Sequence, residues 1–119
     1  GEGGEARLLS SGADCAAMVG YLDEEPVGVL QLGPEPGRIF LAYIRAERRK
    51  RGFGVQLIGQ AVQHTRAGGG ERLWAALPPQ SEAESFFRDC GFRPAEQTAG
   101  GYMVFVKNIG FDREILGKS

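Results

Sequence analysis

Four consecutive basic residues, Arg48 to Arg51, stand before Gly52 and Gly54, and an apolar run follows them. If a strand enters a helix through this turn, the first helical turn carries unpaired N–H groups and about half a positive charge. Glycine lets the backbone approach an anion without an obstructing Cβ, and Arg49 and Arg51 add diffuse positive charge. The residue types and their spacing therefore predict a phosphate site that suits a pyrophosphate.

Other interpretations of residues 48–54 differ in what they require. A dinucleotide fingerprint needs a third glycine at position 57, which is leucine, and a P-loop needs a Gly-Lys-Ser/Thr sequence that the chain lacks. A nucleic-acid surface normally includes further basic or aromatic clusters, whereas this cluster is isolated in a chain of net charge −1. We therefore expect no nucleic-acid partner, and a solvated charged turn remains the plain structural alternative.

Periodicity places this turn between a strand and a helix of an α/β domain. β-Rich runs occupy residues 16–22, 26–32, 38–44, 72–79, 92–97 and 101–109. Helical spacing begins at Gly54 and ends at the glycines 68–70, and a second helix follows Ser81, whose spacing to Glu84 predicts a capping box. The order β-β-β-α-β-α-β-β, with a right-handed crossover, predicts that the third and fourth strands are parallel.

The strand before the phosphate turn is apolar on both of its alternating faces. Ile39, Leu41 and Tyr43 alternate with Phe40, Ala42 and Ile44. This pattern predicts a strand that is covered on both sides.

Length and composition set limits on the class of protein. A chain of 119 residues predicts a single domain, 1–119. The two cysteines, Cys15 and Cys90, form no CxxC and have no nearby histidine pair, so we expect neither a disulfide framework nor a metal site. No apolar run is long enough to span a membrane, and we expect a cytoplasmic protein. The chain begins without methionine, and we expect a fragment of a longer protein.

Three stretches of the sequence resemble motifs of a known family. Arg49-x-x-Gly52-x-Gly54 at a strand-to-helix junction is similar to the acyl-CoA motif, Q/R-x-x-G-x-G/A, of the GNAT superfamily of N-acetyltransferases. DEEPVG at 23–28 resembles the family's hairpin before its third strand, and FFRDCGF at 86–92 resembles its YEKLGF ending. The resemblance covers roughly residues 15–108 and implies a GNAT-like mixed central sheet with helices on both faces, with the family's amino-terminal elements largely missing.

The resemblance also implies a donor, acetyl-CoA, and the residues that would hold it. The amides of residues 51–55 would bind the pyrophosphate, and the pantetheine arm would lie between strands 38–46 and 72–77. Backbone N–H groups on the first of these strands would polarise the thioester carbonyl. The implied cofactor-binding residues are Tyr43, Ile44, Arg45, Arg49, Arg51, Gly52, Phe53, Gly54, Val55 and Gln80.

The chain departs from the family at both usual proton carriers. Many relatives have a tyrosine as general acid at the position of Phe87, and some have a glutamate as general base at the position of Arg38. The catalytic residue is therefore unknown, with Tyr43 as a weak candidate. For the other candidate catalytic groups, Tyr102, Trp74, Cys90 and His64, we expect structural roles.

Only about fifteen residues precede the first hairpin, and we expect EARLLSS to be the remnant of a helix. Family members commonly use their amino-terminal segment as one wall of the acceptor site. We expect that another part of a longer chain, or a second copy in a homodimer, covers the sheet here. The leading hypothesis is an N-acyltransferase that moves an acetyl group to a small-molecule or peptide amine, and the alternative is a catalytically degenerate domain that binds CoA for regulation or assembly.

Overall fold

A computed structural model describes residues 4–11, 15–49 and 51–110. The strands are β1 (Gly4–Ser11), β2 (Ala16–Leu22), β3 (Glu25–Leu32), β4 (Ile39–Ile44), β5 (Arg72–Leu77), β6 (Arg93–Gln97) and β7 (Met103–Asn108). The helices are α1 (Phe53–Ala67) and α2 (Glu84–Asp89), and a 3₁₀ turn at Ala46–Arg48 follows β4. Among these residues no helix has the length and hydropathy to cross a membrane.

The first four strands form an antiparallel sheet in the order β1-β2-β3-β4. The segment expected to be a helical remnant is a strand, β1, so that expectation was wrong. The β1 strand pairs with β2 from Gly4 opposite Leu22 to Ser11 opposite Ala16. Its side chains alternate, because Ala6 packs on the core while Arg7 lies over the ring of Tyr21. A period of two suits a strand better than a helix.

A second antiparallel sheet has the order β5-β7-β6. The two sheets are joined by one parallel bridge, between Arg38 and Trp74. The predicted parallel orientation is therefore confirmed at this bridge. Beyond it, no further pairing joins β4 to β5 among the described residues, and this is the gap between the sheets.

Both helices pack on the same core. Leu57, Ile58 and Ala61 of α1 and Phe87 of α2 belong to one cluster of buried side chains that draws on both sheets. The predicted α/β fold class with mixed strand directions is confirmed. Each helix turns one apolar stripe to this shared core.

The opposite face of the first sheet is open in the described part of the chain. The cross-strand pairs of β3 and β4 on this face include Val29 opposite Tyr43 and Gln31 opposite Leu41. On this face Tyr43 is 50% exposed and Leu41 is 42% exposed. The prediction that this strand is covered on both sides was wrong, because α1 covers one face only.

The start of α2 differs from the predicted capping box. The hydroxyl of Ser81 accepts a hydrogen bond from the backbone N–H of Ala83 at 3.1 Å. The Glu84 carboxylate, instead of reaching back to Ser81, accepts a hydrogen bond from Arg88 at 2.9 Å. The helix begins two residues later than a capping box requires, so Glu84 is its first residue and has a better partner one turn ahead.

Candidate functional site

The turn between β4 and α1 has the geometry of an anion site. Gly52 caps α1 with φ 89° and ψ −5°, a left-handed conformation that glycine adopts at little cost. The first helical hydrogen bond runs from Gln56 N–H to Gly52 O at 3.1 Å. The amides of Phe53, Gly54 and Val55 are therefore left without an intrahelical acceptor. No acidic residue lies in the first turn of α1 to compete for them.

Glycine is needed at positions 52 and 54 for different structural reasons. A Cβ on Gly52 would meet nothing within 4 Å, so the need there is its positive φ. A Cβ on Gly54 would lie 2.9 Å from Cζ of Phe86 and closer still to its Cε1. Gly54 is thus required by the close approach of α2, a reason different from the anion approach predicted from the sequence.

Phe86 connects α2 to the phosphate turn and to the core. Its ring lies edge-on to Phe87, with centroids 5.3 Å apart, and Phe87 contacts Phe92 in the same way at 5.0 Å. Edge-to-face pairs of this kind stabilise beyond their buried area. This aromatic row fixes α2 against the first turn of α1.

A cavity of about 700 Å³ lies between β4, α1 and α2. Six of the ten predicted cofactor-binding residues line it: Tyr43, Ile44, Arg49, Gly52, Gly54 and Val55. Its size is that of a typical ligand site. In the described residues no group of acidic, histidine and cysteine side chains could hold a metal ion.

The other four predicted residues do not line this cavity. Phe53 is buried, and Arg51 is exposed on the turn. Arg45 forms ion pairs with Glu25 at 2.7 Å and Glu47 at 2.8 Å. The hydrogen bond that Arg45 donates to Glu25 and the charge of Glu47 raise the pKa of Arg45, so its charge is already matched by two carboxylates. Gln80 lies in an exposed turn with φ 59°.

Arg49 bonds the end of β4. Its Nε donates a hydrogen bond to the carbonyl oxygen of Ile44 at 2.9 Å, and its guanidinium lies 5.6 Å from the centroid of the Tyr43 ring. The side chain therefore links the phosphate turn to the strand along which the donor arm was predicted to lie. This contact is additional to the diffuse charge that the sequence indicated.

Two expected core aromatics are exposed. Tyr43, for which a core position was favoured, lines the cavity at 50% exposure, and Tyr102 is 45% exposed. Trp74 was expected in the core, yet it lies partly exposed outside the core cluster and donates from Nε1 to Pro36 O at 3.0 Å. The core interpretation was therefore wrong for all three, since each side chain keeps accessible surface. His64 lies in the last turn of α1, as predicted.

Arg38 has a structural partner. Its Nη1 donates to both carboxylate oxygens of Glu35, at 3.1 and 2.9 Å, and its guanidinium lies 5.5 Å from the Trp74 ring centroid. A hydrogen bond from the Glu35 backbone and the one from Arg38 lower the pKa of Glu35. A carboxylate held in its ionised form in this way is a weak base.

Phe87 and Cys90 occupy the inner wall of the cavity. Phe87 is only 3% exposed, so the position of the family's tyrosine is filled by a core side chain without a proton to donate. Burial raises the pKa of the Cys90 thiol, which keeps it neutral at ordinary pH. A neutral, half-buried thiol is a poor nucleophile, as expected from the sequence.

Several residues that line the cavity were not predicted from the sequence. The apolar ones are Leu30, Ala42, Leu57, Ala83 and Phe86, and the polar ones are Glu82, Ser85 and Asp89. The spacing of 82, 85, 86 and 89 is helical, so this pattern could have indicated the cavity-lining residues on α2 and just before it. Leu30 had no such signal, because it reaches the cavity only through the register of β3 and β4.

The candidate site thus consists of the left-handed turn before α1, the single bridge between the two sheets and the lined cavity. A family model described as the Acetyltransferase (GNAT) family matches residues 4–92. The chain belongs to the GNAT acetyltransferase family.

Solved structures share the fold. An aminoglycoside 6′-N-acetyltransferase complexed with coenzyme A has a TM-score of 0.71 at 15% identity, over 84% of this chain and 76% of that one. PaiA N-acetyltransferase from Thermoplasma acidophilum, in complex with coenzyme A, has a TM-score of 0.71 at 19% identity, over 80% and 61%. An acetyltransferase from Thermus thermophilus has a TM-score of 0.62 at 28% identity, over 81% and 65%. The chain thus spans less than two thirds of the last two proteins, and no curated protein matches it by sequence.

Proposed function

We propose that this domain is an N-acyltransferase that moves an acetyl group from acetyl-CoA to a small-molecule or peptide amine by direct attack. The observation that carries the proposal is the left-handed Gly52 turn, which leaves the amides of Phe53, Gly54 and Val55 without intrahelical acceptors beside a cavity that Gly52, Gly54 and Val55 line. A diphosphate there gains from the helix dipole by about 0.3–1 kcal/mol, and more when partly buried. Two of the fold neighbours were solved with coenzyme A.

The gap between the sheets supports the path of the donor arm. A single bridge, at Arg38 and Trp74, joins β4 to β5, so among the described residues no strand pairs with this edge of β4 at Tyr43 and Ile44, although Ile44 O accepts the hydrogen bond from Arg49. The amide groups of a pantetheine arm can pair with such an edge as another strand would. A backbone N–H beside the thioester would then stabilise negative charge on its carbonyl oxygen.

The chemistry requires few groups from the protein. The amine nitrogen bonds to the carbonyl carbon, the C–S bond breaks, and the proton lost by the amine leaves with the thiolate as the CoA thiol. Tyr43, half-exposed on the cavity wall and next to Arg49, is the candidate for transferring that proton. If no residue does so, the rate falls by about 10²–10⁴, which slows catalysis and does not abolish it.

A second function is favoured by one observation. Phe87 is buried in the aromatic row where relatives carry a tyrosine acid, and this supports a domain that binds CoA for regulation or assembly and does not catalyse transfer. Release of thiol from acetyl-CoA, measured across a panel of amines, separates the two functions. Release above the buffer rate with any amine supports the enzyme, and binding without release supports the second function.

The setting of the protein is also a proposal. The unpaired thiols of Cys15 and Cys90 support a reducing, cytoplasmic location. The open face of the first sheet supports a covering partner, either another part of a longer chain or a second copy.

Coenzyme binding is tested with a matched pair of variants. Gly52 and Gly69 have nearly the same backbone conformation, φ 89° and 87°, and a Cβ on either would meet nothing within 4 Å. Gly52→Glu and Gly69→Glu therefore impose similar strain, about 1–2 kcal/mol, but only the first places a negative charge at the proposed phosphate site. We expect the smaller loss in melting temperature for Gly52→Glu, because the amino end of α1 favours a negative charge and its carboxyl end does not. By calorimetry we expect at least a tenfold weaker CoA affinity for Gly52→Glu alone. Equal affinity in the two variants contradicts this placement of the phosphates.

A further inference from the structure

The edge of β4 that faces the gap between the sheets carries the backbone groups of alternate residues. The backbone N–H of Arg45 donates to Val27 O at 2.8 Å, so Arg45 directs its backbone groups toward β3. These directions alternate along an antiparallel strand, and Tyr43, two residues earlier, therefore also points toward β3. The N–H and C=O groups of Ala42 and Ile44 point the other way. We refer to the backbone groups of these two residues as the open edge of β4.

One group on the open edge of β4 already has a partner from the protein. Arg49 donates a hydrogen bond from Nε to Ile44 O at 2.9 Å. Its guanidinium also lies 5.6 Å from the centroid of the Tyr43 ring, a distance at which a cation is attracted to an aromatic face. All three residues line the cavity. The Arg49 side chain therefore occupies a carbonyl that a pantetheine amide would otherwise find free.

The charge of Arg49 lacks a carboxylate partner among the described residues. Arg45, four residues earlier, differs because it forms ion pairs with Glu25 and Glu47. Arg49 instead bonds a neutral carbonyl, and a charged N–H donor bonds an anion more strongly than a neutral oxygen. A phosphate beside the turn before α1 would therefore be a better partner for Arg49 than Ile44 O.

We propose that Arg49 makes the site selective for donors that carry a diphosphate, because it blocks Ile44 O until a diphosphate draws its guanidinium away. This inference rests on the proposed function, since it uses the same phosphate turn and the same pairing of the pantetheine arm with β4. An arm without phosphates must displace Arg49 and offers it no anion in exchange. A coenzyme A thioester displaces it and supplies the diphosphate. The domain therefore favours coenzyme A thioesters over acyl groups carried on pantetheine alone.

The size of the block follows from the strength of one hydrogen bond. A hydrogen bond of ordinary net strength keeps the blocked form in about two- to tenfold excess over the unblocked form. A ligand that binds only the unblocked form loses affinity by about the same factor. Because Arg49 is exposed to water, the lower part of this range applies, and we expect a block of about threefold.

Two variants of the same turn test the block. Arg49→Ala removes the donor to Ile44 O, and Arg51→Ala removes a positive charge from an exposed side chain that has no contact among the described residues. The probes are pantetheine, which has the arm without phosphates, and CoA, and NMR titration of the full chain measures both affinities. We expect Arg49→Ala to bind pantetheine about threefold more tightly than the wild type and CoA at least about threefold more weakly. We expect Arg51→Ala to leave the affinity for pantetheine unchanged.

The opposite signs of the two changes in Arg49→Ala identify the block. If this variant gains no affinity for pantetheine, the inference is overturned, because the contact with Ile44 O is then structural alone. An equal gain in Arg51→Ala also overturns it, since the gain then comes from the loss of charge in general. Unchanged CoA affinity in Arg49→Ala overturns the exchange of Ile44 O for the diphosphate. Failure of CoA to bind the wild type is a different result, and it overturns the proposed function as well.

Discussion

The two faces of the four-stranded sheet differ in how completely the described chain covers them. On the α1 side, Leu30 and its neighbours are buried and the cavity is lined by the chain itself. On the other side, Leu41 and Tyr43 are exposed. The comparison teaches that the described residues form a lined cavity with α1 and α2 but leave the other face of the sheet without a covering element.

The largest expected effect tests that difference directly. Leu30→Ala and Leu41→Ala remove the same atoms from adjacent strands, but from opposite faces of the sheet. Because Leu30 is 0% exposed, its truncation leaves a cavity, and we expect a loss of about 2–5 kcal/mol in the free energy of unfolding. For Leu41→Ala we expect a change within about 0.5 kcal/mol. Urea denaturation measures both, and an equal loss would mean that the open face is covered in solution.

A second prediction concerns the contact between α2 and the turn before α1, on the covered side of the sheet. Gly54→Ala places a Cβ within 2.9 Å of two ring atoms of Phe86, so either the ring or α2 must move. We expect a loss of about 1–3 kcal/mol in the free energy of unfolding. Phe86→Leu should relieve it, so that the double variant is more stable than the sum of the single losses predicts by about 1 kcal/mol. Additive losses would show that Gly54 is needed for another reason.

A smaller effect is expected at Arg49. Arg49→Lys keeps the charge but loses the planar Nε donor to Ile44 O, whereas Arg51→Lys is a control with no contact among the described residues. We expect Arg49→Lys to lower the free energy of unfolding by about 0.5 kcal/mol and Arg51→Lys to leave it unchanged. If thermal melting shows equal stability for the two variants, the hydrogen bond from Arg49 Nε does not stabilise the fold and only the charge of Arg49 matters.

Local patterns predicted most of the fold. Each element of the predicted order β-β-β-α-β-α-β-β is present, because periodicity and turn residues are enough to indicate it, and the glycine turn before α1 is where Gly52 and Gly54 indicated. The capping box at Ser81 failed because a capping box and an i,i+4 ion pair compete for Glu84, and the pattern of residue types does not decide between them.

What the sequence missed depends on long-range packing. The strand β1 was taken for a helical remnant because so short a segment carries too little periodicity, and its partner β2 supplies the evidence only in three dimensions. The exposure of Tyr43 could not be predicted, since an apolar strand looks the same whether one or both of its faces are covered. The reason for Gly54 lies in Phe86, which belongs to the other helix and is distant along the chain.

The edge of the second sheet has a consequence for assembly. The outer strand β6 is exposed at every residue, contains Pro94 and has a register irregularity between Pro94 and Glu96. A proline lacks the N–H that a neighbouring strand would need, and a bulge turns the remaining groups away from a straight ladder. The β6 edge therefore pairs poorly with a strand from another molecule, and this disfavours self-association by edge-to-edge extension of the sheet.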